Sequence, residues 1–141
     1  GDFYSIYALE QSPLRKISMF KIVILEDDLI LLELYRDVLT LADYEPLTIS
    51  SLDSIQAYFE TDTADLIIAD LRLDATSAEK TLEVLQKIRL QHLIKVILVS
   101  AQMMIYEANC RQAGFTHLLT KPFPNSVLVQ MVQQVLHDDE S

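Results

Sequence analysis

The sequence predicts an α/β domain built on a parallel sheet with helices on both faces. Three observations carry this. Short aliphatic runs recur along the 141-residue chain, and segments with apolar residues spaced three and four apart lie between them. The clearest runs are continuous rather than alternating, as strands buried on both faces should be. Polar residues of chemical interest close four of the runs: Glu26 with Asp27, Asp70, Ser100 and Lys121. Strands alternating with helices imply a parallel sheet covered on both sides, and right-handed crossovers leave few topologies for it.

The elements follow in order. Residues 21–25 (KIVIL) form a β-branched run. Asp28 is placed to cap a helix whose apolar positions are Leu31, Leu34, Tyr35, Val38 and Ala42. Residues 47–49 make a short strand, and Asp53 caps a short helix that reaches Phe59. Residues 66–69 are the next strand, ended by Asp70. Ser77 opens a helix with Ala78, Leu82, Leu85 and Ile88 on one face. Residues 96–99 make a strand ended by Ser100. A helix over 105–112 is stopped by Gly114. Residues 117–120 form the last strand, ended by Lys121-Pro122. Asn125 or Ser126 then caps a helix carrying Leu128, Met131, Val132, Val135 and Leu136.

Composition narrows the function. Half the residues are apolar, 23% are charged, and there are two glycines and four prolines, which excludes disordered and low-complexity chains. A chain of this length buries roughly two-thirds of its unfolded surface. The single cysteine, Cys110, rules out an intrachain disulfide and favours a reducing, cytoplasmic setting. Eleven basic residues against twenty-one acidic ones give a net charge of −10. Asp2, Glu10, Arg15 and Lys16 cancel within residues 1–20, so the excess lies in the remainder. Such a surface repels phosphate backbones and offers no polybasic patch, so neither nucleic acid nor a membrane surface is an expected partner. The longest apolar runs are about four residues, against the ~20 of a membrane span. No signal-peptide pattern opens the chain. Residues 1–19 read as an appendage outside the core: a native extension, a remnant ahead of a natural start at Met19, or the tail of a preceding domain. Residues 20–137 are the domain and 138–141 an acidic tail.

The strand ends carry the chemistry. In a parallel sheet the carboxyl ends of the strands share one edge, and ligands bind in the crevice outside it. Three carboxylates (Glu26, Asp27, Asp70), one hydroxyl (Ser100) and one ammonium (Lys121) are therefore expected to converge. Three neighbouring carboxylates stay ionised only with a compensating cation. Oxygen-only ligands suit a hard one such as Mg²⁺ or Mn²⁺. Lysine and serine beside it suit a phosphoryl group, and a carboxylate can attack phosphorus to become an aspartyl phosphate. The residues thus point to a metal-assisted phosphoryl-acceptor site.

The segments KIVILEDD (21–28), DLIIADLRL (65–73), VILVSA (96–101) and GFTHLLTKPF (114–123) together resemble the receiver domain of two-component response regulators, over about residues 20–137. Each motif is weak alone; their order and placement at successive strand ends make the combination specific. The resemblance implies a flavodoxin-like, doubly wound five-stranded sheet of order 2-1-3-4-5. It implies that Asp70 is the phosphoacceptor, that Asp27 binds Mg²⁺ directly and Glu26 directly or through water, and that the Arg72 backbone carbonyl completes the metal site. Ser100 and Lys121 would each bond a phosphoryl oxygen. The Lys121-Pro122 bond is cis in similar proteins, which aims the lysine inward. Implied partners are a histidine kinase or histidine phosphotransfer protein as donor. A downstream protein or effector domain would contact the face of the fourth helix, fifth strand and fifth helix, which also leaves room for a homodimer. The chain would not be an enzyme: at most it phosphorylates itself from small donors and dephosphorylates itself.

Some positions depart from the family pattern. An aromatic residue usually stands three before the lysine as a packing switch; here it is Leu118, which reads as plain core. Asp74 and Ala78 replace the common proline and glycine after the acceptor, so the intervening loop is expected to take a different path. Arg72 is a bulky cation placed to pair with a phosphoryl group or to obstruct attacking water, and Gln102 occupies another position that tunes hydrolysis in the family. Tyr106 is a candidate for the missing aromatic but reads as a surface residue. His92, His117 and His137 lack metal-ligand spacing, and Cys110 reads as a small buried residue. Two rivals remain: a receiver-like module acting by protein contact without phosphorylation, and a haloacid-dehalogenase-like phosphatase. The second is disfavoured because Glu26-Asp27-Asp28 is not an Asp-x-Asp pair and the nucleophile follows the third strand. Neither GxGxxG nor GxxxxGK[ST] occurs, which disfavours a nucleotide-binding fold.

Overall fold

The computed structural model describes residues 19–138. Five strands and five helices alternate: β1 (Lys21–Leu25), α1 (Leu29–Leu41), β2 (Glu45–Ile49), α2 (Leu52–Thr61), β3 (Leu66–Asp70), α3 (Ala78–His92), β4 (Lys95–Ser100), α4 (Met103–Gln112), β5 (His117–Thr120) and α5 (Asn125–Gln133), which runs into a π-helical turn (Gln134–Asp138). The sheet order is β2-β1-β3-β4-β5 and every pairing is parallel. This is the predicted doubly wound, flavodoxin-like sheet. The readings made for residues 1–18 and 139–141 lie outside the described residues.

The continuous apolar runs are explained by burial on two sides. Side chains alternate along a strand, so β1 sends Val23 and Leu25 to one core and Ile22 and Ile24 to the other. Strands β3 and β4 divide in the same way, with Ile67, Ala69, Val96 and Leu98 against Leu66, Ile68, Ile97 and Val99. The first core is closed by Ile55 of α2, Leu85 of α3 and Cys110 of α4. The second is closed by Leu39 of α1 and Leu128 and Val132 of α5. At the carboxyl edge the buried polar residues Glu26, Asp70 and Ser100 stand at or just past the strand ends.

Local chemistry sets the helix starts, and three differ from the sequence reading. Asp28 caps α1 as expected, its carboxylate accepting from the Ile30 and Leu31 N–H groups, and Ser77 caps α3 through the Lys80 N–H. The cap of α2 is Ser51, not Asp53: Ser51 is the extended residue, its hydroxyl accepts from the Ser54 N–H, and Asp53 stands within the first turn. Helix α4 begins at Met103, two residues earlier than predicted. The cap of α5 is Pro124 rather than Asn125 or Ser126. Its carbonyl accepts from the Val127 N–H at 3.0 Å, and neither predicted side chain is needed. Strand β2 starts at Glu45 and α2 continues to Thr61. Leu34, predicted on the buried stripe of α1, is exposed, and Asp138 closes the π turn instead of beginning a tail.

The histidines and the cysteine do structural work. His92 meets the Phe59 carbonyl at 2.9 Å, and His137 meets the Tyr44 hydroxyl at 3.1 Å while packing edge-on against Phe20. Cys110 is wholly buried, and burial pushes its thiol up from the ordinary range. No helix among the described residues is long and apolar enough to cross a membrane.

Three described residues with positive φ follow helices, Asp43, Leu93 and Gly114, and the last two give opposite predictions. Leu93 ends α3 at φ 54° and is 88% exposed, so its left-handed backbone is not offset by packing. Leu93→Gly is expected to stabilise the domain by ~1 kcal/mol. Gly114 follows α4 at φ 97°, and a Cβ there would meet the Arg89 guanidinium, which stacks 5.0 Å from the Phe115 ring. Gly114→Ala is expected to cost ~1 kcal/mol or more. Urea-unfolding midpoints of the two variants should move in opposite directions.

Candidate functional site

The carboxyl edge collects the residues that close β1, β3 and β4 and the one that follows β5. Asp70 is the last residue of β3, the central strand, and is 6% exposed. One of its oxygens accepts from the Lys121 ammonium at 2.6 Å and the other from the Arg72 N–H at 2.9 Å. Glu26, next after β1, is also buried. Its Oε1 accepts from the same ammonium at 2.7 Å and its Oε2 from the Asp28 N–H at 3.1 Å. Ser100 ends β4 fully buried, and its hydroxyl accepts from the Gln102 N–H at 3.0 Å. Asp70, Arg72, Ser100, Ala101, Gln102 and Lys121 line an open cleft of about 230 Å³.

Lys121 reaches the carboxylates across β4. Its own N–H donates to the Ser100 carbonyl, continuing the ladder past β5, and the Lys121-Pro122 bond is cis. Phe123, two residues on, stacks on Tyr35 of α1 with ring centroids 5.8 Å apart. Burial by itself would depress the ammonium, but its hydrogen bonds to Asp70 and Glu26 outweigh burial and hold it above its ordinary value. Burial pushes the Glu26 carboxyl up, against the lowering effect of Lys121 and the Asp28 N–H.

Asp27 stands apart from this pair. It is half-buried, and its carboxylate accepts from the Asp74 N–H in the loop after β3. The expected meeting of three carboxylates is therefore a meeting of two around an ammonium. Among the described residues, no three acidic, histidine or cysteine groups stand ready to hold a metal ion. The donor chemistry nonetheless fits a hard divalent cation: carboxylate oxygens of Glu26, Asp27 and Asp70, with the Arg72 carbonyl.

Two further residues belong here. The exposed Arg72 guanidinium donates from Nη1 to Gln102 Oε1 at 2.8 Å and to the Tyr106 hydroxyl at 3.0 Å. Tyr106 is not a plain surface aromatic: it is half-buried and packs against the first core beside the site. Helical spacing in α4 hid it, because the ring's partner lies after β3 and no local pattern links the two. Leu118 is half-buried against the same core, as its plain reading implied.

Comparison with known proteins follows the same outline. Residues 22–133 match the family model described as the response regulator receiver domain. No curated protein sequence matches the chain. Among solved structures, a CheY-like response regulator receiver domain protein from Methanospirillum hungatei JF-1 is 21% identical with a TM-score of 0.78, covering 86% of this chain and 97% of that one. The non-phosphorylated HemR receiver domain from Leptospira biflexa is 19% identical with a TM-score of 0.73, covering 83% and 94%. NtrX from Brucella abortus, solved in complex with ADP, is 20% identical with a TM-score of 0.76; the match covers 86% of this chain and 28% of that one. At these identities the structures speak for the fold alone.

The shared ammonium leads to a pH test. Lys121→Met leaves two buried carboxylates facing each other, which is expected to cost ~3 kcal/mol at pH 7. The folded value of Glu26 lies above its ordinary 4.5, so protonating it favours the folded state. That contribution is full below 4.5 and is lost as pH rises through the folded value. The deficit of the variant should therefore shrink as pH falls from 7 to 5, read by urea unfolding. An equal deficit at both would mean that Glu26 does not need the ammonium.

Proposed function

The chain belongs to the response regulator receiver domain family, and from that premise we propose that it is a phosphoacceptor that takes a phosphoryl group onto Asp70. One observation carries the reading. A nearly buried carboxylate ends the central strand at the wall of a cleft, with an ammonium, a backbone N–H and a buried hydroxyl around it. An Asp70 oxygen attacks phosphorus of a phosphohistidine and the P–N bond breaks. The imidazole leaves with that electron pair and takes up a proton from solvent, while Asp70 becomes an acyl phosphate. Lys121 bonds one phosphoryl oxygen and Ser100 another, which offsets charge that Asp70 alone would bear.

Glu26, Asp27, Asp70 and the Arg72 carbonyl would hold Mg²⁺, or Mn²⁺ in its place. The cation supplies charge neutralisation for the transferring phosphoryl group. The donor would be a histidine kinase or a histidine phosphotransfer protein. The output would be a protein partner or effector domain meeting the α4-β5-α5 face. In this reading Asp70 is a stoichiometric acceptor and the chain is not a turnover enzyme. The lone buried thiol and acidic balance suit a reducing, cytoplasmic setting without nucleic-acid contact.

A second reading has one observation in its favour: Lys121 already joins Glu26 to Asp70, so the site is partly neutralised without a cation. On that reading the domain signals by protein contact alone.

Intact-protein mass after incubation with acetyl phosphate and Mg²⁺ separates the two. The expected result is one phosphoryl adduct, absent without Mg²⁺ and absent in Asp70→Asn. No adduct from acetyl phosphate or a second donor, with the fold intact, would favour the phosphorylation-independent module. Arg72→Ala is expected to shorten the phosphoryl lifetime several-fold, read as phosphate release. An unchanged lifetime would remove Arg72 from control of hydrolysis.

A further inference from the structure

We propose that Arg72, Gln102 and Tyr106 form a polar clamp on the start of α4, and that a phosphoryl group on Asp70 opens it by drawing the guanidinium away. This rests on the phosphoacceptor reading for its trigger and on observed hydrogen bonds for its resting state.

The clamp is built from two tethers that meet at Gln102. The Gln102 side chain accepts from Arg72 Nη1 at 2.8 Å, and its backbone N–H donates to the Ser100 hydroxyl at 3.0 Å. Gln102 is also the N-cap of α4, and its side chain gives the helix no capping bond because it faces Arg72. The Gln102 carbonyl accepts from the Ile105 N–H, which opens the helix. One residue further, Tyr106 holds the same guanidinium nitrogen at 3.0 Å. The first turn of α4 is thus fixed to the loop after β3 by one arginine.

Both tethers end on groups that a phosphoryl on Asp70 would attract. Arg72 is two residues from Asp70, and its backbone N–H already donates to that carboxylate. Its present side-chain acceptors, an amide oxygen and a phenol, are neutral. A phosphoryl group carries nearly two negative charges and matches the guanidinium fork, and charge-assisted bonds are about twice as strong as neutral ones. The exchange therefore favours the phosphoryl. Ser100, which lines the cleft with Asp70, would turn its hydroxyl to the same group and weaken its hold on the Gln102 N–H.

Arg72 also forms part of a second cleft with Leu73, Asp74, Thr76, Ser77 and Tyr106, so moving it would join two clefts and free the Tyr106 hydroxyl. The released turn carries Met104, 90% exposed, and Ile105, 68% exposed, as the apolar surface whose presentation would change. With Leu118 in β5 unable to swing as an aromatic ring does, polar release at Tyr106 supplies a route from Asp70 to α4.

Hydrogen exchange of the backbone amides over residues 101–108 tests this in the whole chain. It is followed with and without acetyl phosphate and Mg²⁺, in the natural sequence and in Tyr106→Phe and Arg72→Met. In the natural sequence, phosphorylation should speed exchange there by about threefold to tenfold, the scale of one or two lost hydrogen bonds. In both variants exchange should already be faster before phosphorylation, and phosphorylation should add less than in the natural sequence. Variants with natural basal protection and a natural response would overturn the clamp. The phosphorylated fraction is read by mass in the same samples. Absence of any adduct defeats the acceptor reading and with it the trigger, whereas unchanged basal protection in the variants defeats the clamp itself.

Discussion

The Lys121 ammonium lies within 2.7 Å of two buried carboxylates, Glu26 after β1 and Asp70 at the end of β3, and the rest of the site is arranged around it. Two acidic groups removed from water at that separation would each cost several kcal/mol without a counter-charge. The lysine comes from the far side of β4, so the ion pair spans four neighbouring strands of the sheet, β1, β3, β4 and β5. Its backbone is fixed at the same time by the Ser100 carbonyl, and the chain beyond it by the Phe123–Tyr35 stack. The pair is half electrostatic and half positional: the ammonium neutralises, while the sheet and the aromatic stack decide where it stands.

This arrangement connects the two cores. One lies against α2, α3 and α4, the other against α1 and α5, and they are separated by the sheet. At the carboxyl edge side chains from both sides border one site. Tyr35 and Phe123 border the site from the second core, and Tyr106 borders it through Arg72 from the first. Contacts already in place therefore run from the site to both faces. Where other receivers have an aromatic residue in β5, this chain has Leu118, and the aromatic groups stand on α1, on α4 and after β5.

Strand positions were legible because apolar runs buried on two faces leave an unmistakable pattern, as at residues 22–25 and 66–69. Asp28 and Ser77 were legible as caps because a short polar side chain preceded a periodic apolar segment. Ser51 was missed because Asp53, a good capping residue, stood two positions later; backbone conformation, not residue type, chose between them. Pro124 was missed because its contribution is its fixed φ and carbonyl rather than a side-chain bond. Leu34 fell on the apolar stripe by spacing, but what a helix buries depends on what packs against it.

By itself the sequence determined the class of fold, the alternation that builds it, and which residues of chemical type close the strands. Those depend on hydrophobic period and on local turn and cap chemistry, both of which act over a few residues. Only the tertiary structure decided how the closing residues pair. It placed Lys121 between Glu26 and Asp70, turned Asp27 toward Asp74, and brought Arg72 to Gln102 and Tyr106, at separations of 95, 51, 47, 30 and 34 residues. Sequence spacing does not encode contacts of that range, because each is set by where the sheet order and the loops carry a side chain. Charge balance among the candidates then selects its partner.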